Sequence, residues 1–144
     1  MAGKINNTVV LENMKKLEKL LATLTFQQSA PVTDKDIQRY EQNLALKFGS
    51  DYKEFLSKYG CLTAGSNELY GVCGDNASVP SAIHATLSAR RDPKFPRDLL
   101  VIGDDGSGRK FCVDSHDKVF VCDRNTCMKT GQSFEDFAAE WLGS

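Results

Sequence analysis

The apolar residues of this chain change their spacing at Gly60, and that change limits the folds open to it. Before Gly60 they recur every three or four residues, the spacing of a helix with one buried face. Val10, Met14, Leu17, Leu21 and Leu24 make one such stripe, with Lys15, Lys16 and Lys19 turned away from it. Ile37, Tyr40 and Leu44 make a second, and Tyr52, Phe55, Leu56 and Tyr59 a third. After Gly60 the apolar residues come in short runs separated by Gly, Asp, Asn and Ser, which is the pattern of strands and turns. Leu99 to Ile102 is a continuous apolar run, suited to a strand covered on both faces. Helical spacing returns at the end with Phe134, Phe137, Ala138 and Trp141. Helices, then a meander, then one closing helix predict an α+β fold: a small, mostly antiparallel sheet packed against flanking helices in a single domain.

Local signals set the expected boundaries. The segment from Gln27 to Pro31 breaks the first stripe, and Thr33-Asp34-Lys35-Asp36 has the form of a capping box opening the second helix. Glu41 lies beside that helix's apolar face and needs a polar partner if it is buried. Gly49 is expected to end the second unit, Ser50 to cap the third helix and Gly60 to stop it. Glu68 to Val72 reads as a short strand, Gly74-Asp75-Asn76 as a turn, and Pro80 to Arg91 as a helix with Pro in its first turn. Asp104-Asp105-Gly106-Ser107-Gly108 is a strong turn signal, and Lys110–Asp114 and Lys118–Cys122 form a hairpin around Ser115-His116-Asp117. Ser133-Phe134-Glu135-Asp136 is a second capping box. Residues 1–31 are expected to form an N-terminal helical extension, packed on a domain of residues 32–144.

Several kinds of chemistry are argued against. With 18 Lys and Arg against 19 Asp and Glu, the chain lacks the basic excess of a general nucleic-acid binder. The start of the chain carries no secretory signal, and no window approaches the ~20 apolar residues of a membrane helix, so a cytoplasmic protein without a membrane partner is expected. The five cysteines, Cys61, Cys73, Cys112, Cys122 and Cys127, are odd in number, which favours free thiols in that setting. Cys122 and Cys127 are the closest pair, but no second close pair and neither His84 nor His116 completes a zinc ligand set. A cysteine nucleophile needs a histidine base, and neither histidine lies in a nucleophile motif. The Asp-Asp-Gly-Ser-Gly stretch leads into a strand, whereas a phosphate-cradling loop leads into a helix, and its two acids are adjacent where a calcium loop alternates them. No cofactor and no metal is expected. Asp104, Asp105, Asp114, Asp117 and Asp123 share one neighbourhood, but surface carboxylates are ordinarily solvated and the interleaved Arg109, Lys110, Lys118 and Arg124 offset their charge, so clustering alone is weak evidence for an acid–base pair.

The pieces in order resemble the SMI1/KNR4 (SUKH) superfamily over about residues 33–142. The similar segments are Asp36 to Leu44, Tyr52-Lys53-Glu54-Phe55-Leu56 with Gly60, Leu69 to Val72, the segment through Thr86 and Arg90, Leu100 to Gly108, Cys112-Val113-Asp114 with Lys118-Val119-Phe120, and Ser133 to Phe137. Phe48-Gly49 stands where the family has Leu-Pro, a departure that touches the approach to the third helix. The resemblance implies a binding module without catalytic machinery. Its bacterial members are commonly immunity proteins that neutralise polymorphic or contact-dependent toxins, many of them nucleases or deaminases. On that reading the partner is a cognate toxin, and carboxylates would occupy the places of a nuclease's phosphates. Asp104, Asp105, Asp114 and Asp117 are the candidate toxin-binding residues, with Tyr70 as an apolar anchor. The competing reading of each is a structural turn or a core aromatic. Two other functions stay open: a scaffold or regulator like the fungal members, and an enzyme using Cys or Asp chemistry.

Overall fold

In the computed structural model, residues 14–72, 81–124 and 126–144 are described. Val10, Cys73, the turn at Gly74-Asp75-Asn76 and Pro80 lie outside them.

The first stripe folds as α1 (Lys15–Leu21), with Met14, Leu17 and Leu21 buried. The next segment, read above as a break, pairs as a two-residue strand β1 (Gln27–Gln28). Helix α2 (Asp34–Leu44) opens as its capping box predicts, with Thr33 Oγ1 accepting from the Asp36 N–H at 3.2 Å. It ends at Leu44 with Ala45 in the left-handed region, five residues before the Gly49 expected to stop it. Buried Glu41 finds its polar partner in the Phe48 N–H, which donates to it at 2.7 Å and closes the following loop.

Helix α3 (Ser50–Tyr59) buries Tyr52, Phe55 and Leu56, and Gly60 terminates it at φ 72°. Strands β2 (Leu62–Ala64) and β3 (Asn67–Leu69) form a hairpin that, with β1, makes a three-stranded antiparallel sheet. Helix α4 (Ala82–Ala89) is capped by Ser81 and leans on β4 (Leu100–Asp104), where Thr86 Oγ1 accepts from the Val101 N–H. The meander continues through β5 (Lys110–Val113), β6 (Lys118–Cys122) and β7 (Cys127–Ser133), paired antiparallel in sequence order. Its last strand, mostly exposed Met-Lys-Thr-Gly, has no apolar alternation to announce it.

Helix α5 (Phe134–Gly143) starts at the second capping box, Ser133 Oγ accepting from the Asp136 N–H at 3.2 Å. It covers one face of the larger sheet, where Phe111 meets Phe137 and Trp141 at ring separations of 4.8 and 4.9 Å. It also reaches the smaller sheet, since Trp141 Nε1 donates to the Glu68 carbonyl. The two sheets are stitched by the Tyr70 N–H donating to the Ile102 carbonyl at 2.8 Å. One hydrophobic core therefore runs from α1 through α3 and α5 to both sheets, an α+β architecture as the spacing of apolar residues predicts. No described helix is long and apolar enough to cross a membrane.

Candidate functional site

The five candidate residues fall at two places. In an antiparallel meander successive turns alternate between ends of the sheet. The β4–β5 turn carries Asp104 and Asp105 at the end where Asp104, Lys110, Cys122 and Cys127 sit opposite one another. The β5–β6 turn carries Asp114 and Asp117 at the other end, beyond Val113 and Val119. The four strand steps between them correspond to roughly 13 Å.

At the first end, Tyr70 follows β3 and lies beside Asp104. Its side chain is 9% exposed, and its phenol is pushed up by burial and then by the charges of Asp104 and Glu68. The Asp104 carboxylate accepts from the Gly106 N–H. Asp105 Oδ1 accepts from the Ser107 hydroxyl at 2.7 Å, from the Ser107 N–H at 2.9 Å and from the Arg109 N–H at 3.3 Å. Those bonds, the hydroxyl's first, hold the Asp105 carboxyl below its ordinary range. The turn is thus held rigid while Asp105 stays exposed.

At the other end, Asp114 Oδ1 accepts from the His116 and Lys118 N–H groups, both at 2.9 Å. Asp117 is 8% exposed, and its carboxylate accepts from the Asp51 N–H at 3.0 Å and the Tyr52 N–H at 3.1 Å. It therefore caps α3 from a turn 65 residues further along the chain. Ser50, expected to be that cap, is instead the first helical residue, and Gly49 holds the N-cap position without a side-chain bond.

Two features escaped the sequence reading. Cys122 and Cys127 form a disulfide across the mouth of the β6–β7 hairpin, which corrects the expectation that they are free thiols; Cys61 and Cys112 are buried. The register explains the bond, because the two residues end one strand and begin the next directly opposite each other. Beside them is a cavity of about 650 Å³, walled by the segment after α4 and the two turns at that end. Four cations and two carboxylates line it. Cations spread over three segments give no local signal in sequence. Among the described residues, no group of three or more His, Cys, Asp and Glu could hold a metal.

A family described as SMI1-KNR4 cell-wall matches residues 9–143. The chain belongs to the SMI1/KNR4 (SUKH) family. That family is generally a non-catalytic binding scaffold. Among solved structures, the chain is similar to a protein from Pseudomonas syringae pv. tomato, with a TM-score of 0.62 and 22% identity over 95% of this chain and 99% of that one. At that identity the likeness is one of fold. No curated protein matches the chain.

Proposed function

We propose that this SMI1/KNR4 (SUKH) chain is an immunity protein, which neutralises a cognate toxin by covering its working cleft. The observation that carries the reading is the β4–β5 turn. It presents Asp104 beside Tyr70 and Glu68, followed by exposed Asp105, at one end of the sheet in a turn whose N–H groups bond to both carboxylates. The carboxylates of this turn, set beside the cations Arg109 and Lys110, make a fixed pattern of charge whose acidic part suits a basic cleft, as a nuclease's is, and complementary charge speeds the encounter. Asp114, at the far end of the sheet, comes under the same partner only if the contact spans the strands. A standard interface of ~800 Å² per side is roughly 30 Å across as a disc, enough to do so. In this reading Asp117 holds α3 and its turn in place, and Tyr70 backs the patch with little of its own surface exposed. Nothing in the reading requires turnover, a cofactor or a bilayer, and the toxin is met in the cytoplasm.

The test is co-expression with the toxic C-terminal region of a secreted protein encoded beside this chain. Growth should be rescued, and Asp104→Asn with Asp105→Asn, which keep a side-chain acceptor for the turn's N–H groups, should weaken rescue and slow association several-fold with the unfolding midpoint unchanged. Failure to rescue with both proteins soluble would overturn the reading.

A further inference from the structure

The cavity beside the Cys122–Cys127 bond carries an excess of positive charge. Arg91, Lys94, Lys110 and Arg124 line it against Asp92 and Asp123. Both carboxylates are engaged by their own turns: Asp92 accepts from the Lys94 N–H, and Asp123 from the Thr126 N–H and hydroxyl. The two half-cystines form part of the wall. Cys122 is 2% exposed, whereas Cys127 is only partly buried. Lys110 lies directly across from Cys122 on β5, on the same face of the sheet. The volume, about 650 Å³, falls in the ~300–1,000 Å³ range of small-molecule sites.

We propose that this disulfide is a thiol-exchange site, at which a small anionic thiol enters the cavity and adds to Cys127. The carboxylates of such a thiol are held by the four cations while its thiolate attacks Cys127 Sγ. A new S–S bond forms to the incoming sulfur, the Cys122–Cys127 bond breaks, and its electron pair leaves on Cys122 Sγ. The Lys110 ammonium across the strand stabilises that leaving thiolate. A second thiolate then attacks the mixed disulfide. It releases the small-molecule disulfide and leaves two cysteines, which take up the two protons the incoming thiols lost. Cys112 does not compete as an internal nucleophile: it is fully buried, and burial pushes its thiol up to about 12. The hairpin outlasts the bond, because the Asp123 N–H still donates to the Thr126 carbonyl and the β6–β7 ladder remains.

The experiment treats the air-purified full chain with glutathione, which is anionic, and with cysteamine, which is cationic, at matched thiolate concentrations. Adducts are followed by intact mass and peptide mapping. The expected result is an adduct on Cys127 that forms about tenfold faster or more with glutathione, a preference that fades in ~0.5 M salt. Arg124→Gln, in an exposed turn, should slow the glutathione reaction several-fold and leave the cysteamine rate unchanged or raised, whereas Lys110→Gln, which also removes the cation beside the leaving thiolate, should slow both thiols and glutathione the more. Equal rates for the two thiols, an adduct on Cys122, a bond that resists both thiols, or five titratable thiols in the native chain would each overturn the proposal.

Discussion

Asp117 shows how one residue can decide a position far away in sequence. Its backbone sits in the left-handed region at φ 60°, where Asp is better tolerated than most residues. Its carboxylate, pushed above its ordinary range mainly by burial, supplies acceptors for two N–H groups that α3 would otherwise leave unpaired. The same carboxylate explains Gly49. The φ there, −70°, suits any residue, but a Cβ would run into the carboxyl group of Asp117. Asp117→Gly keeps the backbone freedom and removes both bonds, and should cost about 2 kcal/mol in urea unfolding. Gly49→Ala should cost ~1–3 kcal/mol in the natural chain through overpacking, and far less on the Asp117→Gly background. A double-mutant cycle should return a coupling of at least ~1 kcal/mol; strict additivity would show that the carboxylate is not what excludes a side chain at residue 49.

At the scale of elements, the helix starts divide by where their caps come from. Thr33 and Ser133 cap locally, so α2 and α5 are readable from four consecutive residues. The cap of α3 comes from the β5–β6 turn, and that of α1 from α5, where Glu135 accepts from the Lys16 N–H and Asp136 contacts the Lys16 ammonium. No local pattern reveals either. Strand β7 was equally illegible, being an exposed edge whose residues answer to no buried face. The candidate site was legible as residues but not as a place, since antiparallel pairing carries neighbouring turns to opposite ends of the sheet. Borrowed caps also gather charge. Asp51 is pushed up to about 6, by burial first and then by Asp117, Glu135 and Glu54. Because its folded value lies above its unfolded one, the stability it contributes is complete below about pH 4 and is lost as the pH rises through about 6. Glu135 is shifted the same way, chiefly by burial. The urea midpoint should therefore fall between pH 4.5 and pH 7 in the natural chain and fall less in Asp51→Asn, provided the transition slope is unchanged; parallel pH profiles would contradict the assignment.

For the molecule as a whole, the sequence suggests an extension of residues 1–31 ahead of a domain, and the core bears directly on whether that domain can stand alone. Met14 and Leu17 are 0% exposed and Leu21 is 5%, and all three belong to the same apolar cluster as Phe55, Phe134 and Leu142. Glu18 adds an ion pair to Lys58 of α3 at 2.7 Å, but half-exposed pairs of this kind contribute little. The apolar contacts decide the matter. Burying each such side chain is worth ~1.5–3 kcal/mol, so three of them account for a large part of the ~5–15 kcal/mol that holds a domain of this size together. Leu17→Ala alone should cost ~2–5 kcal/mol, because Leu17 is fully buried in the core and its loss leaves a cavity there. A fragment of residues 32–144 should lose most of its cooperativity. The single Trp141 reports on this directly, since its indole bridges Phe111 of the larger sheet and Glu68 of the smaller. In the full chain its fluorescence and the far-ultraviolet circular dichroism should change in one coincident transition. In the fragment the fluorescence should shift toward that of an exposed indole before the helices melt. A fragment as stable as the full chain would show instead that residues 1–31 are an appendage and that the core closes without them.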